Sequence, residues 1–72
     1  MLKNSREVIS MEREELEQRY GQVWDTDQLA KDFKVEGFGA PFVVVVRKKD
    51  EQRGSMEFQH APRYYYDFRE VD

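Results

Sequence analysis

The sequence contains no cysteine and only one histidine, His60. Without a thiol, the chain can form no disulfide, no thiolate zinc site and no cysteine nucleophile. Small secreted domains usually depend on disulfides, so their absence favours a reducing compartment. The first ten residues, MLKNSREVIS, also lack the continuous apolar core of a secretory signal. We therefore expect a cytoplasmic protein.

Long apolar runs are equally scarce. The longest, APFVVVV at residues 40–46, is far shorter than the roughly 20 residues that span a bilayer. Charged residues make up 38% of the chain, but the net charge is only −3, so no strong field draws the whole molecule to a membrane or to nucleic acid. A chain of 72 residues has room for one domain, 1–72, and we predict no membrane contact.

Motifs that would indicate catalysis or a bound cofactor are missing too. There is no HExxH, no EF-hand loop and no phosphate-binding loop, and GFG at 37–39 lacks the third glycine of a dinucleotide site. We predict no cofactor, no metal and no small-molecule ligand. The enzymatic alternatives are a serine–histidine–acid set with Ser10 or Ser55, and a metal-free nuclease that would use Glu57, His60, Arg63 and Tyr65. Both sets of residues require more coincidences of position than a non-catalytic role does. We therefore expect that the protein is not an enzyme.

The first half of the chain predicts helices. Residues 5–20, SREVISMEREELEQRY, contain good helix formers and neither glycine nor proline, which indicates helix 1 within residues 1–20. Most of its charged side chains are acidic. The simplest interpretation of these acidic side chains is that they form a solvated face of the helix. The alternative is a helix that binds a partner.

A second helix has a sharper start. Asp25 is a good N-cap, Gln28 stands three residues later for a capping box, and Trp24 and Leu29 are spaced for a hydrophobic staple. Gly37 offers a C-terminal stop. We therefore predict helix 2 over residues 24–36.

The second half of the chain indicates strands. FVVVV, SMEFQH and RYYYDF are rich in β-branched or aromatic residues. GFGAPF before them favours an irregular link, and Pro62 predicts a longer loop or a bulge between the last two strands. The predicted fold is α+β, with two short N-terminal helices followed by a three-stranded antiparallel β-meander over residues 42–69, and helix 2 on the apolar face of the sheet.

Three consecutive tyrosines lie within the last predicted strand. A period of two places Tyr64 and Tyr66 on the same face as Phe68. We therefore predict that these two tyrosines belong to the core and that Tyr65 faces outward, beside Arg63.

The first predicted strand is apolar on both faces. Val43 and Val45 alternate with Phe42, Val44 and Val46, so one face remains to be covered by helix 1, by a second copy of the chain or by another protein. We predict a small protein-interaction module, of the adaptor or stoichiometric-inhibitor type, that binds another protein or itself through a sheet face or the acidic helix. The candidate interface residues are Val43, Val45, Glu12 and Glu15.

The alternative prediction is a nucleic-acid-binding protein. Basic residues cluster at the tip of the first predicted hairpin, where they could lie along a phosphate backbone. Basic and aromatic residues on the outward face could hold an unstacked base. The candidate contacts are Arg47, Lys48, Lys49 and Arg53 at the tip, and Arg63, Tyr65 and Arg69 on the face.

Overall fold

The computed structural model describes residues 11–71, which form two helices and one antiparallel sheet of five strands. The order of the strands across the sheet is β1-β5-β4-β3-β2. The α+β class is as predicted, but the three-stranded meander is wrong, because two further strands flank the predicted three. In chain order the elements are α1 (Arg13–Tyr20), β1 (Val23–Trp24), α2 (Thr26–Asp32), β2 (Phe33–Gly39), β3 (Phe42–Arg47), β4 (Gln52–His60) and β5 (Arg63–Glu70).

Strand β2 replaces the second half of predicted helix 2. The helix ends at Asp32, and Phe33 has extended dihedral angles, φ −136° and ψ 156°. From Phe33 the chain alternates apolar and charged residues, which is the strand period, and β2 pairs with β3 along its length. The prediction of an irregular link at 37–39 is therefore wrong as well. Gly37 lies inside the strand, where the register with β3 shifts, a position at which glycine is typical of a bulge.

The start of α2 confirms its predicted capping. The Asp25 carboxylate accepts a hydrogen bond from the Gln28 N–H at 2.8 Å, and the Gln28 side chain accepts one from the Asp25 N–H at 3.1 Å. Trp24 and Leu29 on either side are both buried in the same apolar cluster. The capping box and the staple fix where the chain turns from β1 into α2.

Helix α1 starts later than predicted, because Met11 and Glu12 precede its first turn; residues 5–10 of the predicted helix lie outside the described part of the chain. The Arg13 guanidinium joins α1 to the next two elements. Its Nη2 donates to the Val23 carbonyl oxygen and to the Gln28 side chain, both at 2.7 Å. One turn further on, Leu16 is fully buried against the sheet.

Gln59 attaches the chain before α1 to the sheet. Its side-chain amide accepts a hydrogen bond from the Met11 N–H at 3.1 Å and donates one to the Met11 carbonyl at 2.9 Å. It also donates to the Pro62 carbonyl at 3.0 Å. Gln59 is buried, so these bonds satisfy a polar group that would otherwise destabilise the fold.

Two hairpins have two-residue turns that contain proline. Gly39 pairs with Phe42 around Ala40-Pro41, and His60 pairs with Arg63 around Ala61-Pro62. Both Ala–Pro bonds are cis, the isomer that type VI turns contain. The longer loop predicted at Pro62 is therefore wrong.

The sheet has an apolar cluster on each face. We call the two sides the α2 face and the α1 face, after the helix that packs on each. On the α2 face the cluster comprises Trp24, Leu29, Phe33, Val43, Val45, Met56, Phe58 and Tyr65. The smaller cluster on the α1 face comprises Leu16, Val23 and Tyr66, with Met11 and Tyr64 packed against it.

A bulge in β5 reverses the predicted orientation of the tyrosines. The β4–β5 register shifts between Ser55 and Glu57, and Asp67 has a φ of 60°. The extra residue interrupts the period of two, so Phe68 packs with Tyr65 on the α2 face. Tyr65 is only 3% exposed, and the prediction that it faces outward is wrong.

Candidate interaction surfaces

The hairpin of β2 and β3 carries most of the exposed large apolar side chains of residues 11–71. We call residues 35–44 the open hairpin. Four of its side chains are well exposed: Phe38 (58%), Phe42 (48%), Val35 (40%) and Val44 (38%). Such a concentration of exposed apolar surface, rimmed by charged residues, is typical of an interaction site.

The exposed aromatic rings lie on opposite faces of the open hairpin. Phe38 pairs with Val43 in the register, and its ring meets Phe58 edge-on at 5.4 Å, which places it on the α2 face. Phe42 pairs with Glu57, whose other neighbour is Tyr66, so Phe42 belongs to the α1 face. The open end of the sheet is therefore apolar on both sides.

The predicted interface valines lie inside the molecule. Val43 and Val45 both have 0% exposure, because they face the α2-face cluster between Met56 and Phe33. A side chain without exposed surface cannot contact a partner, so the prediction that Val43 and Val45 form the interface is corrected. The prediction that β3 is apolar on both faces is confirmed, but the open side is that of Phe42 and Val44.

The acidic candidates lie at the exposed start of α1. Glu15 has a local structural role, since its carboxylate accepts a hydrogen bond from the Glu12 N–H at 3.3 Å. This bond satisfies one of the free N–H groups that every helix start presents. Whether Glu12 and Glu15 also contact a partner stays a prediction.

Strand β2 forms one outer edge of the sheet, next to β3 alone among the described strands. Its edge is guarded in two ways, by the exposed Lys34 and by the register shift between Val35 and Gly37. Charged side chains and bulges on an edge oppose the addition of another strand. The exposed side chains of the open hairpin, more than its backbone edge, are therefore the surface available to a partner.

Residues of the predicted nuclease set separate onto two faces. Arg63 lies over the ring of Phe58 at 5.1 Å, donates to the Tyr65 hydroxyl at 3.2 Å and approaches His60 Nδ1 at 3.3 Å. Glu57 points to the α1 face, where it pairs with Phe42 and Tyr66. The four residues therefore do not form one site. Arg63 fills a gap between aromatic rings, and its Nε has no hydrogen-bond partner within residues 11–71.

Three of the four arginines of the predicted nucleic-acid surface are paired with acids. Arg47 bonds Asp50 at 2.8 Å and Glu70 at 3.2 Å. The hydrogen bond from Arg47 lowers the pKa of Asp50, and the same bond raises the pKa of Arg47. Elsewhere on the sheet, Arg53 pairs with Glu36 at 2.9 Å and Arg69 pairs with Asp67 at 3.2 Å.

One basic residue of this surface was not predicted from the sequence. A groove lies between the end of α2 and the tip of the β3–β4 hairpin, and Lys31 of α2 lines it together with three of the predicted basic residues of the hairpin. These three are Arg47, Lys48 and Lys49. Arg53, Arg63, Tyr65 and Arg69 lie outside the groove lining. No local pattern connects Lys31 to the hairpin tip, because the two meet only when β2 pairs with β3.

Comparison with protein-family models, with curated proteins and with solved structures finds no match to this chain. Neither α1 nor α2, the helices of residues 11–71, has the length and apolar character that crossing a membrane requires. Within the same residues, no three His, Asp or Glu side chains lie close enough to share a metal ion. Two parts of the surface of residues 11–71 are distinctive: the open hairpin, and a groove lined by Lys31, Arg47, Lys48 and Lys49, which we call the basic groove.

Proposed function

We propose that this chain is a small protein-interaction module that inserts its open hairpin into an apolar cleft of a partner protein. The observation that carries the proposal is the exposure of Phe38 and Phe42 on opposite faces of one hairpin. A flat partner surface would cover only one of these rings. A cleft that admits the end of the hairpin would cover both, together with Val35 and Val44.

The composition and the support of the hairpin suit this role. Large aromatic side chains dominate binding energy at protein interfaces. Near the exposed ring of Phe38 there is also an arginine, because the Arg63 guanidinium lies over the ring of Phe58, which contacts Phe38. Beneath the exposed rings, Val43 and Val45 anchor β3 in the core. A rigid, preformed hairpin loses little conformational entropy on binding. We place this activity in the cytoplasm, as the lack of cysteine favours.

A photo-crosslinking amino acid placed at Phe38, at Phe42 and at Val71 would test the proposal in cells that express the chain. Val71 is exposed, lies after β5 and serves as the control position. We expect one partner protein to be crosslinked from both positions of the hairpin and not from Val71. Crosslinking from one aromatic position alone would exclude a cleft that encloses the hairpin.

Purified partner then permits a quantitative test. Phe38→Ser and Phe42→Ser should each weaken binding by roughly thirtyfold, the effect of losing a residue worth about 2 kcal/mol at an interface. Val71→Ser is the matched control, since Val71 is 41% exposed and lies after β5, outside the open hairpin. Equal effects of all three changes would contradict the proposal. A concentration-dependent dimer, measured by light scattering and lost in Phe38→Ser, would identify the partner as a second copy of the chain.

A further inference from the structure

A basic groove lies at the opposite end of β2 from the exposed aromatic rings. It has a volume of about 620 Å³ and is bounded by the end of α2, the start of β2 and the tip of the β3–β4 hairpin. Its charged lining residues are Lys31, Asp32, Arg47, Lys48 and Lys49. Four of them are cations and one, Asp32, is an acid. In a chain of net charge −3, this is a local reversal of sign.

The single acid of the groove lining is already engaged. The Asp32 carboxylate accepts a hydrogen bond from the Trp24 indole N–H at 3.0 Å. This bond holds the carboxylate against the indole at the side of the groove. The lining thus opposes four cations with one carboxylate, and Asp50 and Glu70, outside the lining, offset the charge of Arg47. The positive charge available to an anionic ligand therefore comes from the three lysines.

Two of the four cations are held in place by the fold. Arg47 is fixed by Asp50 and Glu70, and its guanidinium lies 5.1 Å from the ring centre of Phe68. Lys48 donates from Nζ to the Ala30 carbonyl at 2.8 Å. These contacts leave further N–H donors on both side chains.

The other two cations have no such contacts. Neither the Lys31 nor the Lys49 side chain forms a hydrogen bond or an ion pair within residues 11–71, although Lys49 lies near enough to Asp50 to help lower the pKa of that carboxyl. A lysine ammonium carries three donors, so these two side chains are the ones most able to turn toward a bound anion. The groove thus combines two fixed and two unpaired cations.

The walls of the groove offer little surface on which a base could stack. The rings of Trp24 and Phe33 are buried, and the guanidinium of Arg47 covers Phe68. Tyr65, the aromatic residue predicted to stack on a base, is in the core. Recognition in the groove would therefore depend on charge and hydrogen bonding, which are the means by which proteins hold phosphates.

We infer that this groove binds the phosphodiester backbone of a nucleic acid, without reading its bases. The residues that make the contacts are Lys31, Arg47, Lys48 and Lys49. The site is separate from the open hairpin, because Phe33 and Phe38 are five residues apart on β2, which corresponds to about 16 Å at 3.3 Å per residue. Nucleic acid and a protein partner could therefore bind at the same time.

Fluorescence anisotropy with a short labelled DNA duplex, titrated over a series of salt concentrations, tests the inference. The wild-type chain should bind at low salt, with equal affinity for duplexes of different sequence, and weaken steeply as salt increases. Lys31→Glu combined with Lys49→Glu should lower the affinity at low salt by at least roughly tenfold and reduce the salt slope by about 1.8, or 0.9 for each lost phosphate contact.

The matched control combines Arg19→Glu with Lys34→Glu. It changes the net charge by the same amount, but both side chains are exposed and lie outside the groove lining. We expect this control to retain most of the affinity and the full salt slope. Equal weakening by the two double variants would show that net charge alone matters and would overturn the inference. So would absence of binding by wild-type protein at low salt, in which case an acidic surface of a protein would be the ligand to examine next.

Discussion

The helix-covered part of the sheet and the open hairpin are built from similar residues but are completed differently. Around β1 and β5, Leu16 of α1 and Leu29 of α2 bury the apolar side chains of opposite faces. At the open hairpin, no helix of the described chain covers Phe38 or Phe42. Within residues 11–71 this apolar surface is left uncovered, and we base the proposed function on this difference.

The difference follows from the dimensions of the elements. Helix α1 has eight residues and α2 has seven, so each is about 10–12 Å long at 1.5 Å per residue. Five strands about 4.8 Å apart extend over about 19 Å, which neither helix can cover alone. Helix α1 contacts β1 and β5, whereas α2 runs directly into the start of β2 and contacts β2 as well as β5 and β1. Helix α2 thus lies at the end of β2 that is opposite the β2–β3 turn. The β2–β3 turn is therefore the part left exposed.

The largest expected difference is in stability, between a variant with an aspartate on the buried face of β3 and a variant with an aspartate on its exposed face. Val43→Asp would bury an unpaired carboxylate in the α2-face cluster, and we expect a loss of about 4 kcal/mol or more, enough to unfold so small a domain. Val44→Asp, one residue along and 38% exposed, should change the stability by about 1 kcal/mol or less. Urea denaturation followed by circular dichroism measures both. A folded Val43→Asp variant would contradict the burial of this valine.

A smaller loss is expected from a single methyl group at Gly54. A Cβ there would overlap the ring of Phe68 and lie 2.6 Å from the Arg69 carbonyl oxygen. Because the backbone cannot move aside easily, Gly54→Ala should destabilise the fold by about 1–3 kcal/mol. Gly39→Ala in the open hairpin is the control, since a Cβ at Gly39 meets nothing within 4 Å and should leave stability nearly unchanged. Similar losses in thermal or urea denaturation for both variants would show that packing does not distinguish the two regions.

Where local chemistry determined the structure, the sequence was sufficient to predict it. Asp25 and Gln28 can satisfy the free N–H groups at the start of a helix from side chains close in sequence, and this predicted the start of α2. The β-branched and aromatic runs similarly predicted the central strands β3, β4 and β5. These signals depend on neighbouring residues and need no knowledge of the rest of the fold.

Features that depend on how one strand pairs with the next were not predictable in this way. Phe33 to Gly39 contains two glycines and follows a good helix start, so its strand character depends on pairing with β3. The bulge at Asp67 has one weak local signal, since aspartate tolerates positive φ better than most residues. That single extra residue puts Tyr65, predicted to face outward, on the same face as Phe68, and puts Tyr64 and Tyr66 on the other face. The open hairpin was missed for the same reason, because which face of β3 is covered depends on where both helices pack.

The smallest expected effect concerns Tyr66 in the helix-covered region. Burial raises the pKa of Tyr66 above its ordinary value of 10.0, with smaller contributions from Glu57, Tyr20 and Asp67. The folded state therefore favours the neutral phenol, so its contribution to stability is complete below about pH 10 and is lost as the pH rises through the raised pKa. Tyr66→Phe removes this titration, and above pH 10 its free energy of unfolding should fall less steeply with pH than that of the wild type. Urea denaturation at a series of alkaline pH values measures the free energy of unfolding of both proteins. Subtracting one from the other cancels the contributions from titration of the other tyrosines and of the lysines. Parallel curves for the two proteins would mean that α1 leaves the Tyr66 hydroxyl as accessible to water as in the unfolded chain.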